Sequence, residues 1–443
     1  MFTGEPGKPH CRTSSVELCP GAISICNNGG RPWVPRLKFY GRCQPMKRRD
    51  FLLGLAVGAL VDKLARAAVP LRDLQITRVV GFDLVSSRSK LAGKNARLDV
   101  HGDRATDRML RIYTNQQIEG IGNLAVDRQQ AAGLLGKRVG ELFDIDERRM
   151  TGPLGVGTLP LWDLAGKALG KPVYELLGGA GPERVGVYDG SIYFADLLPK
   201  YEARWQDRFR EEVDMARQLG HRAMKVKIGR GFKWMPREAG DRRDIDVLKV
   251  IRKHAGDDFV IGIDANNGYD LEGTKRLFGE IGDLRIAFAE EMFPETVDDC
   301  LVFKVFLREH HWETLVADGE TRVDLEVFRP FIAAKAIEIY QADMKRFGLE
   351  GIMTEAHRAA EQQLRVAPHN WGSWIGYIMQ LHVGRAIENF YRAEHDPLTN
   401  DVLLADGYSI AEGEATVPDA PGLGLRIDKA RYASAKIHFD EKL

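Results

Sequence analysis

Downstream of residue 184, short apolar stretches with strand character alternate with longer stretches whose apolar residues recur at helical spacing. The eight predicted strands span residues 185–193, 223–229, 259–266, 285–292, 314–320, 336–344, 364–370 and 386–391. The helices predicted between them span residues 197–219, 244–254, 271–281, 299–310, 324–334 and 351–362. Because helices between consecutive strands imply parallel pairing, and eight strands suffice to close a ring, the pattern predicts a (β/α) barrel over residues 185–410.

The stretch before the barrel mixes strands and helices without this rhythm. The elements predicted there span residues 76–85 and 107–113 as strands, and residues 128–142 and 159–170 as helices. The polar, glycine-containing segment between the two strands, residues 86–104, is predicted to be a mobile loop. We therefore expect an α+β domain over residues 69–184. The tail, residues 411–443, is rich in glycine and proline and is expected to pack back on that domain.

The first 45 residues differ in composition from the rest of the chain. They hold four of the five cysteines, Cys11, Cys19, Cys26 and Cys43, and only Cys300 follows them. Their spacing contains no C-x-x-C, which disfavours a zinc cluster. A small disulfide-bonded domain is one interpretation, but little apolar material is available to pack in it. We expect instead that residues 1–45 lie outside the working fold and that translation starts at Met46.

The residues after Met46 have the layout of an export signal. Lys47, Arg48 and Arg49 form a charged start, and an apolar run over residues 51–61 is too short to span a bilayer. Small residues follow at a cleavage spacing, as expected for a secretory signal. The paired arginines predict a twin-arginine-type signal over residues 46–68 and a periplasmic location. The alternative is a cytoplasmic protein that begins with an amphipathic helix.

Charge and hydropathy exclude two classes of partner. The chain carries 63 basic and 63 acidic residues, and its formal net charge is zero. This balance does not point to a nucleic-acid groove or to a polybasic membrane surface. No segment after the signal is apolar enough to be a transmembrane helix. The sequence thus predicts a mature protein without a membrane span, whose partner is a small molecule.

Two lysines alternate with apolar residues in the second barrel strand, A-M-K-V-K-I-G. A period of two places Lys225 and Lys227 on the same face. Like charge and burial both disfavour the ammonium form, so we expect lowered pKa values. A lysine shifted toward neutral pH can remove a proton from carbon. Surface lysines on a solvated edge strand are the plainer interpretation, which the following residues disfavour.

Three successive strands each end with a carboxylate, namely Asp264, Glu290 and Glu320. Active residues of such barrels lie at the carboxyl ends of the strands, and neighbouring strands are about 4.8 Å apart. Three converging carboxylates require a cation, and a site built from oxygen ligands alone suits Mg²⁺. Any one of the three could instead form a salt bridge or cap a helix. Their equivalent positions predict a magnesium site.

The last three strands supply further candidates. Asp343 and His369 come from adjacent strands six and seven, and a carboxylate beside an imidazole fixes its tautomer and supports its charged form. A buried structural histidine is the alternative for His369. Glu388 is predicted to reach the substrate as an acid from strand eight.

At these residues the chain resembles the enolase superfamily, and specifically its mandelate racemase subgroup. The resemblance rests on the run L-W-D-L-A-G-K-A-L-G-K-P-V-Y-E-L-L-G-G over residues 161–179, on K-V-K, D-A-N, E-E and D-G-E, and on the Asp343 and His369 pair. It covers nearly all of the chain after the signal. Two positions depart from the common pattern. Met292 stands where many relatives have proline, and the residues that flank Asp343 are unusual.

The resemblance implies a modified (β/α)₇β barrel with an α+β capping domain that the tail completes. It implies that Asp264, Glu290 and Glu320 hold Mg²⁺, and that Lys227 and His369 act as bases on opposite faces of a carboxylate substrate. Lys225 would contact the carboxylate and lower the pKa of Lys227, Asp343 would orient His369, and Glu388 would donate to the developing ene-diolate. The family also implies a homo-oligomer.

Removal of an α-proton from a carboxylate leaves two main outcomes open. Loss of a β-hydroxyl gives a 2-keto acid, and this dehydration of a sugar acid is the outcome that we favour. Reprotonation from the opposite face gives racemisation or epimerisation. A non-catalytic binding relative and a muconate-type cycloisomerase are further alternatives, and His369 disfavours the second.

Specificity is expected from the capping domain. The predicted loops over the barrel mouth are residues 86–95 and 120–127, in which Lys90 and Lys94 are candidate substrate contacts. Asn266, beside the predicted metal site, is a third candidate contact. The segment 230–243 was predicted as an insert that shapes either the pocket or a subunit contact.

Overall fold

The computed structural model describes residues 68–144, 146–321 and 324–443. The prediction for residues 1–45, and all but the last residue of the signal predicted at residues 46–68, lie outside these described residues. The described residues form one compact unit. Among the described residues, no helix combines the length and apolar character needed to cross a bilayer.

The N-terminal domain, called the cap below, is built on an antiparallel sheet with helices on one side. Its strands are β1 (Ile76–Ala92), β2 (Gly102–Thr114), β3 (Glu119–Asn123), β4 (Phe143–Asp144) and β5 (Arg149–Met150). Its helices are α1 (Arg128–Ala132), α2 (Leu159–Leu169) and α3 (Val173–Leu176), with 3₁₀ turns at Leu71–Asp73 and Val139–Glu141. Pro160 and Leu164 of α2 are buried against β3, where Gly120 and Gly122 leave room for them. The apolar residues of α2 and of the sheet therefore form one hydrophobic core within the cap.

The barrel strands run in the order of the chain and pair in parallel. They are β6 (Arg184–Ile192), β7 (Ala223–Lys227), β8 (Val260–Asp264), β9 (Ile286–Glu290), β10 (Leu315–Asp318), β11 (Ile339–Tyr340), β12 (Arg365–Val366) and β13 (Ala393–His395). The helices between them are α4 (Trp205–Gln218), α5 (Arg237–Ala255), α6 (Leu271–Ile281), α7 (Val297–Glu309), α8 (Arg329–Ala333), α9 (Met344–Glu361) and α10 (Trp374–Ala386). Short 3₁₀ helices lie at Ala195–Leu197, Glu202–Arg204, Arg230–Phe232, Gly282–Leu284 and Leu325–Phe328.

The segment before and within β13 joins the two edges of the sheet. Phe390 pairs in parallel with Val366 of β12, and Ala393 pairs in parallel with Val187 of β6. The ring therefore closes through residues 390–395. Directly beneath the carboxyl ends of these strands, Tyr188 and Phe288 fill the barrel interior, and the Lys225 Nζ lies 5.8 Å from the centre of the Tyr188 ring. Gly262 of β8 makes room for them, because a Cβ there would lie 2.1 Å from the Phe288 ring.

The chain after β13, called the tail below, completes the cap and begins earlier than the predicted residue 411. It contains β14 (Leu398–Thr399), β15 (Leu403–Leu404), β16 (Ser409–Ala411), β17 (Glu414–Thr416), β18 (Arg426–Ile427), α11 (Lys429–Tyr432) and β19 (Ile437–Lys442). Strands β14 and β19 both pair antiparallel with β1. Strands β16 and β17 form a hairpin whose second strand pairs with β6 of the barrel.

Several predicted elements have different limits in the structure. Strand β1 continues to Ala92, so the connection to β2 is residues 93–101 and not 86–104. The helix predicted over residues 128–142 ends at Ala132, because Gly133 and Gly136 favour turns there. The segment 230–243 is not an insert, since Arg230–Phe232 forms a 3₁₀ helix and residues 237–243 form the first turns of α5. The eighth strand begins at Ala393 and not at residue 386, which is the last residue of α10.

Buried polar contacts fix the cap over the carboxyl ends of the barrel strands. Arg88 of β1 binds Asp396, which follows β13, through two hydrogen bonds of 2.5 and 2.7 Å. Asp107 of β2 accepts hydrogen bonds from the Ser373 hydroxyl and from the Trp374 backbone N–H at the start of α10. A carboxylate at a helix N-terminus satisfies free N–H groups. These contacts therefore hold β1 and β2 next to the ends of β12 and β13.

Candidate active site

Three carboxylates converge at the carboxyl ends of β8, β9 and β10. Parallel register places Asp264 beside Glu290, and Glu320 follows the end of the next strand. One oxygen from each of the three lies within 4.8 Å of the others. Asp264 and Glu290 are fully buried. Burial, with Asp264 and Glu320 nearby, raises the pKa of Glu290 well above its usual range. Such crowding of buried carboxylates favours binding of a cation.

The donor set of this triad fits a hard divalent ion. It consists of carboxylate oxygens alone, which is the ligand type that Mg²⁺ and Ca²⁺ take. The Asn266 amide lies beside it and donates to Glu320 Oε1 over 3.2 Å. Asn266 and Glu291 both adopt positive φ angles, 43° and 41°. Strained backbone of this kind at two adjacent strand ends is typical of functional sites.

The two lysines of β7 point into the barrel beside the triad, as the period of two predicts. Lys225 is fully buried and contacts Asp264 over 3.1 Å, Glu290 over 2.8 Å and Glu394 over 2.8 Å. Lys227 forms an ion pair with Asp264. Register explains this contact, because Lys227 pairs with Asp264 on the neighbouring strand.

The expected lowering of the lysine pKa values is not what the structure shows. Burial opposes the ammonium form of Lys227, but the carboxylates of Asp264, Glu320 and Glu290 together outweigh it and raise the pKa of Lys227. For Lys225, the carboxylates of Glu290 and Glu394 likewise overcome burial and hold the pKa well above its usual range. A like-charged neighbour and burial would lower these pKa values, but Lys225 lies at contact distance from three carboxylates, Asp264, Glu290 and Glu394, which the sequence alone does not reveal.

His369 and Asp343 lie on the other side of the triad and contact each other. His369 Nδ1 lies 2.9 Å from Asp343 Oδ2, and His369 Nε2 lies 3.1 Å from Glu320 Oε2. Burial disfavours the imidazolium, but Glu320, Glu394 and Asp343 together raise the pKa of His369. Burial raises the pKa of Asp343, but the hydrogen bond and charge of His369, with the Arg346 N–H and Lys345, together lower it to about 2. The structure thus brings together the pair that the sequence placed on adjacent strands.

The prediction for Glu388 is wrong. Glu388 is exposed and lies in the turn before the eighth strand, at the opposite end from the carboxylate triad. Glu394, in the middle of β13, occupies the place expected for it. Its Oε1 contacts Lys225, and its Oε2 accepts from the Asn370 backbone N–H over 2.9 Å. In the sequence, Glu394 lies in the short stretch A-E-H after residue 392. The preceding residues 386–391 were predicted as the strand instead.

Of the three predicted substrate contacts, only Asn266 lies at the triad. The Lys90 side chain is only 7% exposed and forms an ion pair with Glu212 of α4. Lys94 lies 3.2 Å from Asp99 and 3.9 Å from the centre of the Trp234 ring. Both lysines bind the protein itself. Strand β1, which continues to Ala92, fixes the direction of Lys90, and a backbone bridge to Phe194 holds Lys94.

An aromatic wall beside Lys227 was not predicted from the sequence. It consists of Tyr193 at the end of β6, Trp371 after β12 and His101 before β2. The Lys227 Nζ lies 5.5 Å from the centre of the Tyr193 ring. Trp371 and His101 both pack on Tyr193, with ring centres 4.6 and 4.7 Å away. These residues come from three distant parts of the chain, so no local pattern marks them.

Comparison with known proteins is consistent with this architecture and site. Residues 208–431 match the family model described as Enolase C-terminal domain-like. The arabinonate dehydratase of Saccharolobus solfataricus is 31% identical over 281 residues, which is 63% of this chain and 70% of that protein. The chain therefore belongs to the enolase superfamily, as the K-V-K, D-A-N and E-E motifs indicated.

Two solved structures show the same fold. A galacturonate dehydratase from a Geobacillus species, in complex with D-galacturonate and 5-keto-4-deoxy-D-galacturonate, aligns with a TM-score of 0.77 and 30% identity. The alignment covers 83% of this chain and all of that one. A mandelate racemase/muconate lactonizing protein from Geobacillus sp. Y412MC10, in complex with magnesium and tartrate, aligns with a TM-score of 0.78 and 30% identity over 84% of this chain and 98% of its own.

Proposed function

We propose that this protein is a Mg²⁺-dependent sugar-acid dehydratase that converts a sugar acid into its 2-keto-3-deoxy derivative. The observation that carries the proposal is the position of the triad between two proton-transfer groups. Along the barrel, the three triad strands separate β7, which bears Lys227, from the strand ends that bear Asp343 and His369. Similarity to an arabinonate dehydratase and to a galacturonate dehydratase supports this substrate class.

The proposed reaction assigns one proton transfer to each side. In its neutral amine form, which Mg²⁺ held by Asp264 would favour by offsetting the charge of that carboxylate, Lys227 accepts the proton from the carbon next to the substrate carboxylate. His369 gives its proton to the β-hydroxyl, which leaves as water. The electron pair of the broken C–H bond forms the enol, which then takes the keto form. Asp264, Glu290 and Glu320 would hold Mg²⁺, which supplies positive charge where the substrate carboxylate becomes more negative. Asp343 holds the His369 ring in place through its 2.9 Å hydrogen bond.

The test is turnover in D₂O with Mg²⁺ and a panel of sugar acids and 2-hydroxy acids. We expect a 2-keto acid from at least one sugar acid, and loss of this product in Lys227→Ala and His369→Ala. Asp264→Asn should abolish turnover and weaken Mg²⁺ binding, which calorimetry measures without a substrate. Deuterium at the α-carbon without keto acid would indicate the second candidate, a racemase or epimerase, which groups on both faces also permit. Absence of both signals, in a protein that binds Mg²⁺ and the acids, would leave a binding protein.

We also propose that residues 46–68 direct twin-arginine export to the periplasm. The proposal is supported by the arginine pair and the short apolar run of the sequence. A reporter fused to residues 46–70 should reach the periplasm, and the same fusion with Arg48 and Arg49 changed to lysine should not. Retention of the unchanged fusion in the cytoplasm would contradict the proposal.

The homo-oligomer that the family resemblance implies also remains a proposal. Light scattering of the purified chain at several concentrations measures it directly. A mass of about 50 kDa at every concentration, against the 49.6 kDa of the chain, would contradict it.

A further inference from the structure

His101 brings a hydrogen-bond donor from the cap to the Lys227 side of the site. Its backbone N–H donates to the carbonyls of Ala92 and Gly93 over 3.1 and 3.3 Å, which fixes the end of the loop from β1 to β2. Its ring packs edge-on against Tyr193 and Trp371, with centres 4.7 and 5.7 Å away. The backbone hydrogen bonds and the two ring contacts therefore hold the imidazole in place without a ligand.

The partner of His101 fixes its tautomer. The indole N–H of Trp371 donates to His101 Nδ1 over 3.2 Å. An indole nitrogen can only donate, so Nδ1 is the acceptor nitrogen, and in the neutral imidazole the proton lies on Nε2. Nε2 is buried and has no hydrogen-bond partner among the described residues. A buried donor left unpaired is unfavourable, and an acceptor on a ligand would satisfy it.

The charge state of this ring is also set by its surroundings. Burial, together with the cations Lys227 and Arg88, lowers the pKa of His101 to about 4. Near pH 7 the ring is therefore neutral. It offers a hydrogen bond to an oxygen without offering a positive charge.

The cationic side chains of the neighbouring cap segment have partners within the protein. The segment 88–97 contains four of them, and they bind Asp396 (Arg88), Glu212 (Lys90), Asp99 (Lys94) and the backbone carbonyls of Asn266 and Asn267 (Arg97). Arg88 also lies 4.5 Å above the Trp371 ring. A second carboxylate on the ligand would thus meet a neutral donor here and would lose water without gaining a counter-charge. Such desolvation is unfavourable.

We propose that the Nε2–H of His101 donates a hydrogen bond to a hydroxyl or carbonyl oxygen of the bound sugar acid, and that it thereby selects sugar monoacids over diacids. This inference rests on the proposed function and names the substrate class within it. His101 is a specificity-determining residue in this scheme, while Lys227 and His369 carry the proton transfers. The ligand oxygen that it binds lies on the face of the substrate next to Tyr193 and Lys227.

The experiment compares monoacids with the diacids of the same stereochemistry, such as galactonate with galactarate and gluconate with glucarate. Binding is measured by calorimetry and turnover by keto-acid release, both with Mg²⁺. We expect the best monoacid to bind at least 10-fold more tightly than its diacid. In His101→Phe that monoacid should lose about 10- to 100-fold in affinity and in kcat/KM, mainly through KM, as expected for an unpaired acceptor. His101→Gln places an amide N–H near the same point and should restore most of the loss.

Two controls separate this role from a structural one. His438→Phe changes a cap histidine that binds Asp83 away from the site, and it should leave the affinities unchanged. Deoxy monoacids, each lacking one hydroxyl, identify the oxygen that His101 binds. The analogue without that oxygen should have the same affinity for His101→Phe as for the unchanged protein. The inference is overturned if diacids bind as tightly as monoacids, if His101→Phe keeps full affinity, or if no acid binds. Selective binding of monoacids without keto acid would overturn the proposed dehydratase alone.

Discussion

Glu394 and Lys225 form a buried ion pair between β13 and β7, with 2.8 Å between Oε1 and Nζ. Glu394 Oε2 lies 3.9 Å from His369 Nε2 on the other side. One carboxylate therefore lies between Lys225, the strand neighbour of the proposed base Lys227, and His369, the proposed acid. Lys225 also contacts two triad carboxylates, so the charge of Glu394 affects the electrostatic interactions between Lys225 and the triad.

This geometry predicts that Glu394→Gln impairs catalysis. The amide keeps the shape and an acceptor for Asn370, but it leaves Lys225 with one counter-charge fewer. We expect kcat/KM to fall by about 100-fold or more, in the range of lost acid–base groups. Glu388→Gln is the matched control, because this exposed residue should tolerate the change. Equal activity of the two variants, measured by keto-acid release, would contradict the role of Glu394.

Asp343 should be needed to orient His369 and not only to cap α9. Its Oδ2 binds His369, and its Oδ1 accepts from the Arg346 backbone N–H over 2.8 Å. Asp343→Asn keeps an oxygen for the helix end but removes the charge beside the imidazole. We expect kcat to fall by about 100- to 10,000-fold, with little change in Mg²⁺ affinity or in Tm.

Asp270→Asn is the control for this variant. Asp270 caps α6 in the same way, through a 2.6 Å bond from the Gly273 N–H, but no histidine contacts it in the described structure. It should keep full kcat. If Asp343→Asn also keeps full kcat, His369 does not depend on this carboxylate.

The sequence predicted the barrel and the triad because both follow from regular spacing. In parallel strands the residue types at the carboxyl ends meet at one edge, and each strand–helix unit repeats that placement. Asp264, Glu290 and Lys227 could thus be placed together before any coordinates. The limits of β11 and β12 could not be predicted. Each strand has only two paired residues, and contacts with the neighbouring strands determine which residues these are.

Other parts of the site depend on contacts between distant segments. The run before Glu394 is apolar, but it ends a helix and forms a turn, so the eighth strand was placed too early. Lys90 was predicted as a substrate contact because its partner Glu212, 122 residues away, has no local signal. The same holds for His101, whose partner Trp371 is 270 residues away along the chain. Tertiary packing determines these contacts, and periodicity does not reveal them.

The cap should depend on the buried pair of Arg88 and Asp396. Both side chains are at most 1% exposed, and Arg88→Met would leave the Asp396 carboxylate buried without its counter-charge. We expect a loss of about 3–5 kcal/mol in the free energy of unfolding, measured in urea. KM should also rise, because Arg88 supports Trp371 at the mouth of the site.

Arg78→Met provides a matched control on the same strand. Arg78 also makes two hydrogen bonds to an aspartate, Asp440, but these side chains are 35% and 34% exposed. Exposed pairs contribute at most about 1 kcal/mol, so the loss should be small. In Arg88→Met with Asp396→Asn, part of the stability should return. Equal losses in the two single variants would show that burial of the Arg88 pair is unimportant.

His382 connects α10 to the cap and the tail in a form that requires a neutral ring. Its Nδ1 accepts from the Tyr174 backbone N–H over 3.2 Å, so its Nε2 carries the proton toward the Tyr408 hydroxyl, 2.8 Å away. Tyr408 in turn donates to the Leu423 carbonyl over 2.6 Å. Burial lowers the pKa of His382 to about 3, whereas the unfolded chain has the ordinary value near 6.5.

Stability should therefore fall as the pH drops below 6.5. In that range the unfolded chain binds a proton that folded His382 does not, so the free energy of unfolding decreases by about 1.4 kcal/mol per pH unit for this group, until the folded pKa is reached. Urea unfolding at pH 7.5, 6.0 and 5.0 measures the slope.

The variant His382→Gln has no imidazole to titrate at this position. It should be less stable at pH 7.5 but should lose less unfolding free energy on acidification. His254→Gln, at a partly exposed histidine near Asp214, should keep the full slope. If His382→Gln shows the same pH dependence as the unchanged protein, His382 does not cause this acid sensitivity.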